Sequence, residues 1–329
     1  MPESILQHEI DLIKQAGVNI YLNKEVGRDL DFRKLREEYD ALFVGTGTQY
    51  PAKVNIEGED LRGVMHGINF LKDTNLREDM KLNGTVAVIG GGNTAIDSAR
   101  SALRIGADRV IVVYRRTIDA MPAYIEEVNE AIEEGIEIME LTAPMKFIGK
   151  DNKVIGIECV KMGLGDFDSS GRRKSVEIKG SNFVLDVDYV IPAVSQYADL
   201  PFISKDEIGV TKWGTFIVDP DTQMCTMDGV FAGGDVVRGP DTVISAIADG
   251  KKAASAIDKY LGGNGKLNKG APIEIPKVFD DDEVIAHPQF EMELLPPEVR
   301  KQSFAEVVLG FHKINAIAES MRCLHCERR

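Results

Sequence analysis

Val86-Ala87-Val88-Ile89-Gly90-Gly91-Gly92-Asn93-Thr94-Ala95-Ile96-Asp97 joins a β-branched strand to a glycine turn and the start of a helix, and Tyr114-Arg115-Arg116 closes the strand that follows. The residue types have local physical reasons. Gly90 lets the chain turn tightly off the strand, Gly92 places no Cβ between the backbone and a diphosphate, and Ala95 lets the helix pack closely on the strand. The first turn of the helix then offers unpaired N–H groups and a partial positive charge to phosphates.

A glycine turn of this kind can also be a tight bend that binds nothing. Here it follows a predicted strand (85–89), opens a predicted helix (94–104) and precedes a second strand (109–114), which is the setting a dinucleotide site requires. The expected phosphate contacts are Gly90, Gly91, Gly92, Asn93 and Thr94. An NAD site usually has an acid at the end of the second strand for the ribose hydroxyls, whereas this chain has Arg115 and Arg116. Two guanidiniums suit a 2′-phosphate, because each offers a planar fork of donors. Two other readings stay open: a solvated pair that serves the acid-rich helix at 126–137, and an NAD site that uses nearby Asp119.

The chain has 329 residues, enough for two domains, and its 43% hydrophobic and 28% charged content is ordinary for a globular protein. A net charge of −14 argues against a nucleic-acid surface and gives no basic stripe for an anionic membrane, which makes the arginine pair a local exception. No stretch approaches the roughly 18 consecutive apolar residues of a spanning helix, and Met-Pro-Glu-Ser lacks the start of a signal peptide, so membrane insertion is not expected and the cytoplasm is. Four cysteines in a chain of this length do not make a disulfide framework.

A helix-glycine-strand plan occurs twice. Helix 3–16, Gly17 and strand 18–22 are echoed by helix 122–134, Gly135 and strand 136–139, and residues 38–44 match 186–193 as an acid before a hydrophobic strand. A further helix is expected at 32–39. In the second copy the phosphate turn lies upstream of Gly135; the same spacing measured back from Gly17 falls before Met1, so if the two copies are a duplication, and not the echo any α/β protein shows, the first copy is expected to lack its own fingerprint. Residues 146–184 read as β-structure (154–160, 175–178 and 183–187, with a loop tip at 163–171), expected as an antiparallel crossover on an otherwise parallel sheet. Beyond 265 the periodicity ends, with helix character returning at 305–320.

A second glycine-rich element is Gly229-Val230-Phe231-Ala232-Gly233-Gly234-Asp235, followed by a helix of small residues at 242–250. Small residues would let that helix approach a flat ligand, and Asp235 can accept from a polyol hydroxyl. This segment resembles the carboxy-terminal FAD motif of the two-dinucleotide-domain flavoproteins. The run at 88–97, with Val113-Tyr114-Arg115-Arg116 and Met121-Pro122-Ala123, is similar to the NADPH domain of the glutamate synthase small (β) subunit family, which includes the flavin subunits of NADPH–ferredoxin complexes.

The resemblance covers about residues 1–262. It implies an α/β fold of two Rossmann-like dinucleotide-binding domains, with an NADPH domain (73–195) inserted in an incomplete FAD domain (1–72 and 196–262), plus a carboxy-terminal tail (263–329). It places NADPH at 90–94 with the 2′-phosphate at Arg115 and Arg116, and FAD against Gly45, Thr46, Gly47, Gly234, Asp235, Thr242 and Val243. Three departures stand out. The amino-terminal FAD fingerprint and cluster cysteines of the family are absent, Ala193-Val194-Ser195-Gln196 replaces its usual Ala-Ile-Gly-Gln, and neither Cys159 nor Cys225 lies in a C-x-x-C, which disfavours the disulfide-reducing branch.

Cys323-Leu324-His325-Cys326 has the spacing of half an iron–sulfur or zinc site, and a [4Fe–4S] cluster generally needs four thiolates. It reads as the edge of a cluster domain, against a tail with two incidental thiols. His8, His66, His287 and His312 are scattered and read as surface or structural, and Trp213 as packing a hairpin. The expected chemistry is hydride transfer from NADPH to FAD and electron delivery to an iron–sulfur or ferredoxin-type partner, with no catalytic side chain required. The alternative is a flavin-free NADP(H)-binding structural or regulatory module.

Overall fold

The computed structural model describes residues 3–76, 79–168, 171–204, 207–267 and 289–320. It divides into two compact units, one built from described residues of 1–20 and 268–329, the other from 21–267.

The smaller unit begins with the expected amino-terminal helix, α1 (Glu3–Gln15). The strand expected at 18–22 does not form. Val18, Ile20, Tyr21 and Leu22 are exposed, and no described strand pairs with them, so their β-propensity finds no ladder of hydrogen bonds to join.

In the larger unit the elements follow as α2 (Phe32–Glu38), β1 (Leu42–Val44), β2 (Tyr50–Pro51), α3 (Gly67–Leu76), β3 (Thr85–Ile89), α4 (Asn93–Arg104), β4 (Arg109–Val113), α5 (Ile125–Glu133) and β5 (Glu137–Met139). After these come β6 (Thr142–Lys150), β7 (Lys153–Phe167), β8 (Arg173–Glu177), β9 (Phe183–Asp186), β10 (Tyr189–Pro192), β11 (Gln196–Tyr197), β12 (Val230–Ala232), α6 (Asp235–Arg238) and α7 (Val243–Tyr260).

The central sheet is parallel, in the order β10-β3-β4-β5. Its strands read as near-continuous apolar runs because both faces are covered. Val86 and Val88 of β3 point into a core with Phe70, Ala95, Ile96, Ala99 and Val128 from α3, α4 and α5. Ala87 and Ile89 point the other way, onto Phe147, Val154, Ile157 and Cys159. That opposite layer lies on the parallel sheet, and the chain crosses through it from β5 to β10, as expected of an antiparallel crossover. Strands β6, β7, β8 and β9 form a separate antiparallel sheet that packs on its face. The expected loop at 163–171 is strand in its first part, since β7 runs to Phe167 and β8 begins at Arg173.

Elsewhere in this unit β1 and β12 pair in parallel, Leu42 with Val230 and Val44 with Ala232, over a core containing Phe32, Phe216 and Val236. Asp31 caps α2 by accepting from the Lys34 N–H at 3.0 Å. Trp213 corrects its expectation: it sits in the turn between Thr211 and Thr215, but its ring is 73% exposed, with Lys212 Nζ 5.0 Å from its centroid.

In the smaller unit, the helix expected at 305–320 is shorter. Residues 308–310 form β14 (Val308–Gly310), paired with β13 (Glu293–Leu294), and the helices are α8 (Pro297–Arg300) and α9 (Lys313–Ser320). His287, Cys323 and Cys326 lie outside the described residues. No described helix is long and apolar enough to cross a membrane.

Candidate functional site

The turn after β3 stands at the carboxyl edge of the parallel sheet, where the chain leaves β3 for β4 on one side while β10 lies on the other, the switch point at which α/β sheets open a crevice. Gly90 has φ +145°, and a Cβ there would lie 2.3 Å from the Ala193 carbonyl oxygen, so the fold itself demands glycine. Gly91 is similarly confined, with the Tyr114 ring 2.5 Å from where its Cβ would be.

Gly92 differs. It is the N-cap of α4 with extended φ and ψ, makes no side-chain capping bond, and a Cβ would meet nothing nearer than Pro122 Cγ at 3.9 Å. The protein leaves this space open in front of an uncapped helix start, which fits a diphosphate lying against bare backbone.

These residues line one cleft of about 940 Å³. Gly90 through Thr94, Arg115 and Arg116 border it, as do Asp235 and Thr242 from the turn after β12. Gln196 borders it as well, donating from Nε2 to Thr94 Oγ1 at 3.4 Å, so the replacement of the usual Ala-Ile-Gly-Gln leaves Gln196 beside the turn. Gly45, Thr46, Gly47, Gly234 and Val243 are not on the lining. Gly45, Thr46 and Gly47 follow β1 and Gly234 follows β12, where the two strands pair and Gly233 N–H donates to the Val44 carbonyl at 3.2 Å, and Val243 opens α7.

The two arginines are unlike each other. Arg115 is exposed. Arg116 is 7% exposed, donating from Nε to the Arg173 carbonyl at 2.8 Å and from Nη2 to Asp168 Oδ2 at 2.7 Å. Asn93 is also partly committed, since its Oδ1 accepts from the Tyr124 N–H at 3.0 Å and sets the start of α5. Sequence reasoning missed Arg172, which lines the same cleft. The signal available was Gly171-Arg172-Arg173-Lys174, a basic run in an acidic chain.

After β12, Gly234 adopts φ +73° and α6 begins at Asp235. Asp235 Oδ2 accepts from Thr48 Oγ1 at 3.4 Å and Oδ1 from the Asp241 N–H at 3.2 Å, and Thr242 caps α7 through Ser245 N–H. Buried Asp249 holds this turn: it accepts from Gly234 N–H at 3.0 Å and pairs with Arg238 at 2.6 Å, and the Arg238 hydrogen bond keeps its carboxyl below the usual carboxylate range against the cost of burial.

A family model described as pyridine nucleotide-disulphide oxidoreductase matches residues 3–250. The chain belongs to this family. Among curated relatives, the chain is 41% identical over 341 residues to NADP(+)-dependent formate dehydrogenase subunit beta of Moorella thermoacetica, covering 100% of this chain and 48% of the relative. It is 35% identical to NADPH-Fe(3+) oxidoreductase subunit beta of Geobacter sulfurreducens, covering 99% of the chain and 54% of the relative, and 37% identical to the glutamate synthase [NADPH] small chain of Azospirillum brasilense, covering 84% and 59%. The chain thus spans about half the length of the curated relatives it matches. These names place it where the sequence resemblance did.

Among solved structures, FprA of Mycobacterium tuberculosis in complex with NADPH shares the fold, with a TM-score of 0.61 at 21% identity over 73% of this chain and 68% of that one. Thioredoxin reductase of T. acidophilum does so with a TM-score of 0.52 at 22% identity, over 67% and 65%. The family name includes disulphide, yet Cys159 and Cys225 are buried in separate cores, and burial pushes their thiols up to about 11 and about 12. Among the described residues, no group of three or more metal-binding side chains comes together.

Proposed function

We propose that this chain carries the NADPH- and FAD-binding parts of an oxidoreductase subunit that passes hydride from NADPH to FAD and then electrons to an iron–sulfur or ferredoxin-type partner in the cytoplasm. The observation that carries this reading is the single cleft bordered both by the turn at Gly90–Thr94 and by Asp235 and Thr242. Two cofactors bound at these ends would meet in one shared cleft. The proposal keeps the domain assignment that the resemblance implies: an NADPH domain at 73–195 within FAD-binding segments at 1–72 and 196–262, and a tail from 263.

On this reading the α4 N-terminus holds the NADPH diphosphate, Gly92 lets it approach, and the 2′-phosphate lies at the Arg115 and Arg116 end. Asp235, steadied by Thr48 and the Asp241 N–H, accepts from a hydroxyl of the FAD ribityl chain, and Gly45, Thr46, Gly47, Gly234 and Val243 give the flavin side close approach. Bound flavin supplies the redox chemistry, taking two electrons with a hydride and releasing them singly. The protein's own groups bind and align, so no side-chain acid or base is assigned. Two relatives named as beta subunits and one as a small chain support a partner subunit. Cys323 and Cys326 fit the edge of a [4Fe–4S] segment by their spacing.

The test is the visible flavin absorbance of freshly purified protein and its bleaching by NADPH under anaerobic conditions, followed by reoxidation with a ferredoxin. Bleaching and ferredoxin-dependent recovery are expected. A colourless protein that binds NADP⁺ and reduces no acceptor would establish the flavin-free module instead.

A further inference from the structure

The hairpin of β7 and β8 crosses from the antiparallel sheet to the end of β4, and one carboxylate makes the connection. Asp168 Oδ2 accepts from Arg116 Nη2 at 2.7 Å, and its Oδ1 accepts from the Arg172 N–H at 3.2 Å. The Asp168 N–H in turn donates to the Arg172 carbonyl at 2.7 Å, which closes the tip of the hairpin. The backbone of Arg172 is therefore fixed relative to the end of β4, although 56 residues of sequence separate Arg172 from Arg116.

Three arginines, Arg115, Arg116 and Arg172, border the cleft. Arg116 spends Nε and one Nη2 bond on the hairpin, and neighbouring Arg173 donates to the Leu164 and Gly165 carbonyls at 3.1 and 2.9 Å. Arg172 borders the cleft, as exposed Arg115 does. The carboxylates on the lining, Asp235 and Asp241, belong to the segment after β12, so the Arg115–Arg172 end concentrates positive charge within a chain of net charge −14.

We infer that Arg172, delivered from the β7–β8 hairpin, is a specificity-determining residue that binds the 2′-phosphate of the nucleotide together with Arg115, while Arg116 and Asp168 act chiefly as the anchor that positions it. The inference rests on the nucleotide reading given above and adds a recognition residue from a different sheet. A guanidinium from the hairpin and another from the end of β4 would give two forks on one dianion.

The experiment is calorimetric titration of the full chain with 2′,5′-ADP and, separately, with 5′-AMP, which differ by the 2′-phosphate and need no flavin. The variants are Arg172→Ala, Arg172→Lys and Arg115→Ala. Arg172→Ala is expected to weaken 2′,5′-ADP about tenfold or more, as Arg115→Ala does, while 5′-AMP changes less than twofold, and Arg172→Lys is expected to recover part of the loss because it keeps the charge without the fork. Unchanged 2′,5′-ADP affinity in Arg172→Ala, with a loss in Arg115→Ala, overturns the hairpin assignment and leaves the nucleotide reading standing. Equal affinity of the natural chain for 2′,5′-ADP and 5′-AMP removes the 2′-phosphate site itself, and the inference with it. Equal weakening of both nucleotides by Arg172→Ala marks a structural role and also overturns it.

Discussion

Gly90 lies so close to Ala193 that a Cβ on it would stand 2.3 Å from that residue's carbonyl oxygen, whereas two positions on, at Gly92, the nearest atom beyond its chain neighbours, Pro122 Cγ, is 3.9 Å from such a Cβ. One glycine is required by the fold and the other is not. This separates folding from binding at a single turn.

Gly90→Ala should therefore destabilise the chain, by about 1–3 kcal/mol, because the methyl group collides with backbone and the positive φ disfavours an L side chain. Gly92→Ala should fold with an unchanged melting temperature and lose nucleotide affinity. Thermal denaturation and NADPH titration of both variants check the pair.

Arg115 and Arg116 should likewise part company. Arg115→Ala removes a charge-assisted phosphate contact and should cost roughly 1.5–3 kcal/mol of NADPH affinity, with little effect on NADH and none on stability. Arg116→Ala should also lower the melting temperature, because it leaves Asp168 without its 2.7 Å partner. Differential binding of the two coenzymes, measured with denaturation curves, separates these outcomes.

Asp249 gives the turn after β12 a pH dependence. Its carboxyl is held below the ordinary range by the Arg238 hydrogen bond, with Gly234 N–H adding to this against the cost of burial. A depressed folded pKa means the stabilisation is complete above the ordinary carboxylate pKa and is lost as pH falls through the folded value. Asp249→Asn should lose about 1–3 kcal/mol at neutral pH and show a flatter acid limb in urea denaturation.

Glu134 is the buried centre of an ion-pair cluster, 2.6 Å from Arg100 and 3.1 Å from Arg104, that clamps α5 to α4 beneath the turn. Glu134→Ala should cost about 3–5 kcal/mol, since the arginines it neutralises are themselves largely buried. Chemical denaturation monitored by far-UV circular dichroism gives the value.

Much of this was legible in the sequence where the determinants are local. The strand, glycine turn and helix at 85–104 are encoded by neighbouring residues, and so is the apolar run of β12. Long-range pairing was not legible. Nothing near Arg116 announces that Asp168, 52 residues away, will hold it, so the two arginines looked equivalent. The antiparallel strands read correctly as β-structure, but their alternation cannot say whether they join the parallel sheet or lie against its face. At 18–22 the β-branched residues suggested a strand that does not form, because the described fold provides no partner strand. Trp213 was assigned to packing by its residue type, and its turn leaves it exposed.

The most direct test of the central claim is a crystal structure of the chain with NADP⁺. The account predicts density for the diphosphate against the backbone of Gly90–Thr94, beside Gly92 and at the N-terminus of α4, with the 2′-phosphate at the Arg115 end of the cleft. A coenzyme bound elsewhere on the protein, with that turn left open to solvent, would contradict it.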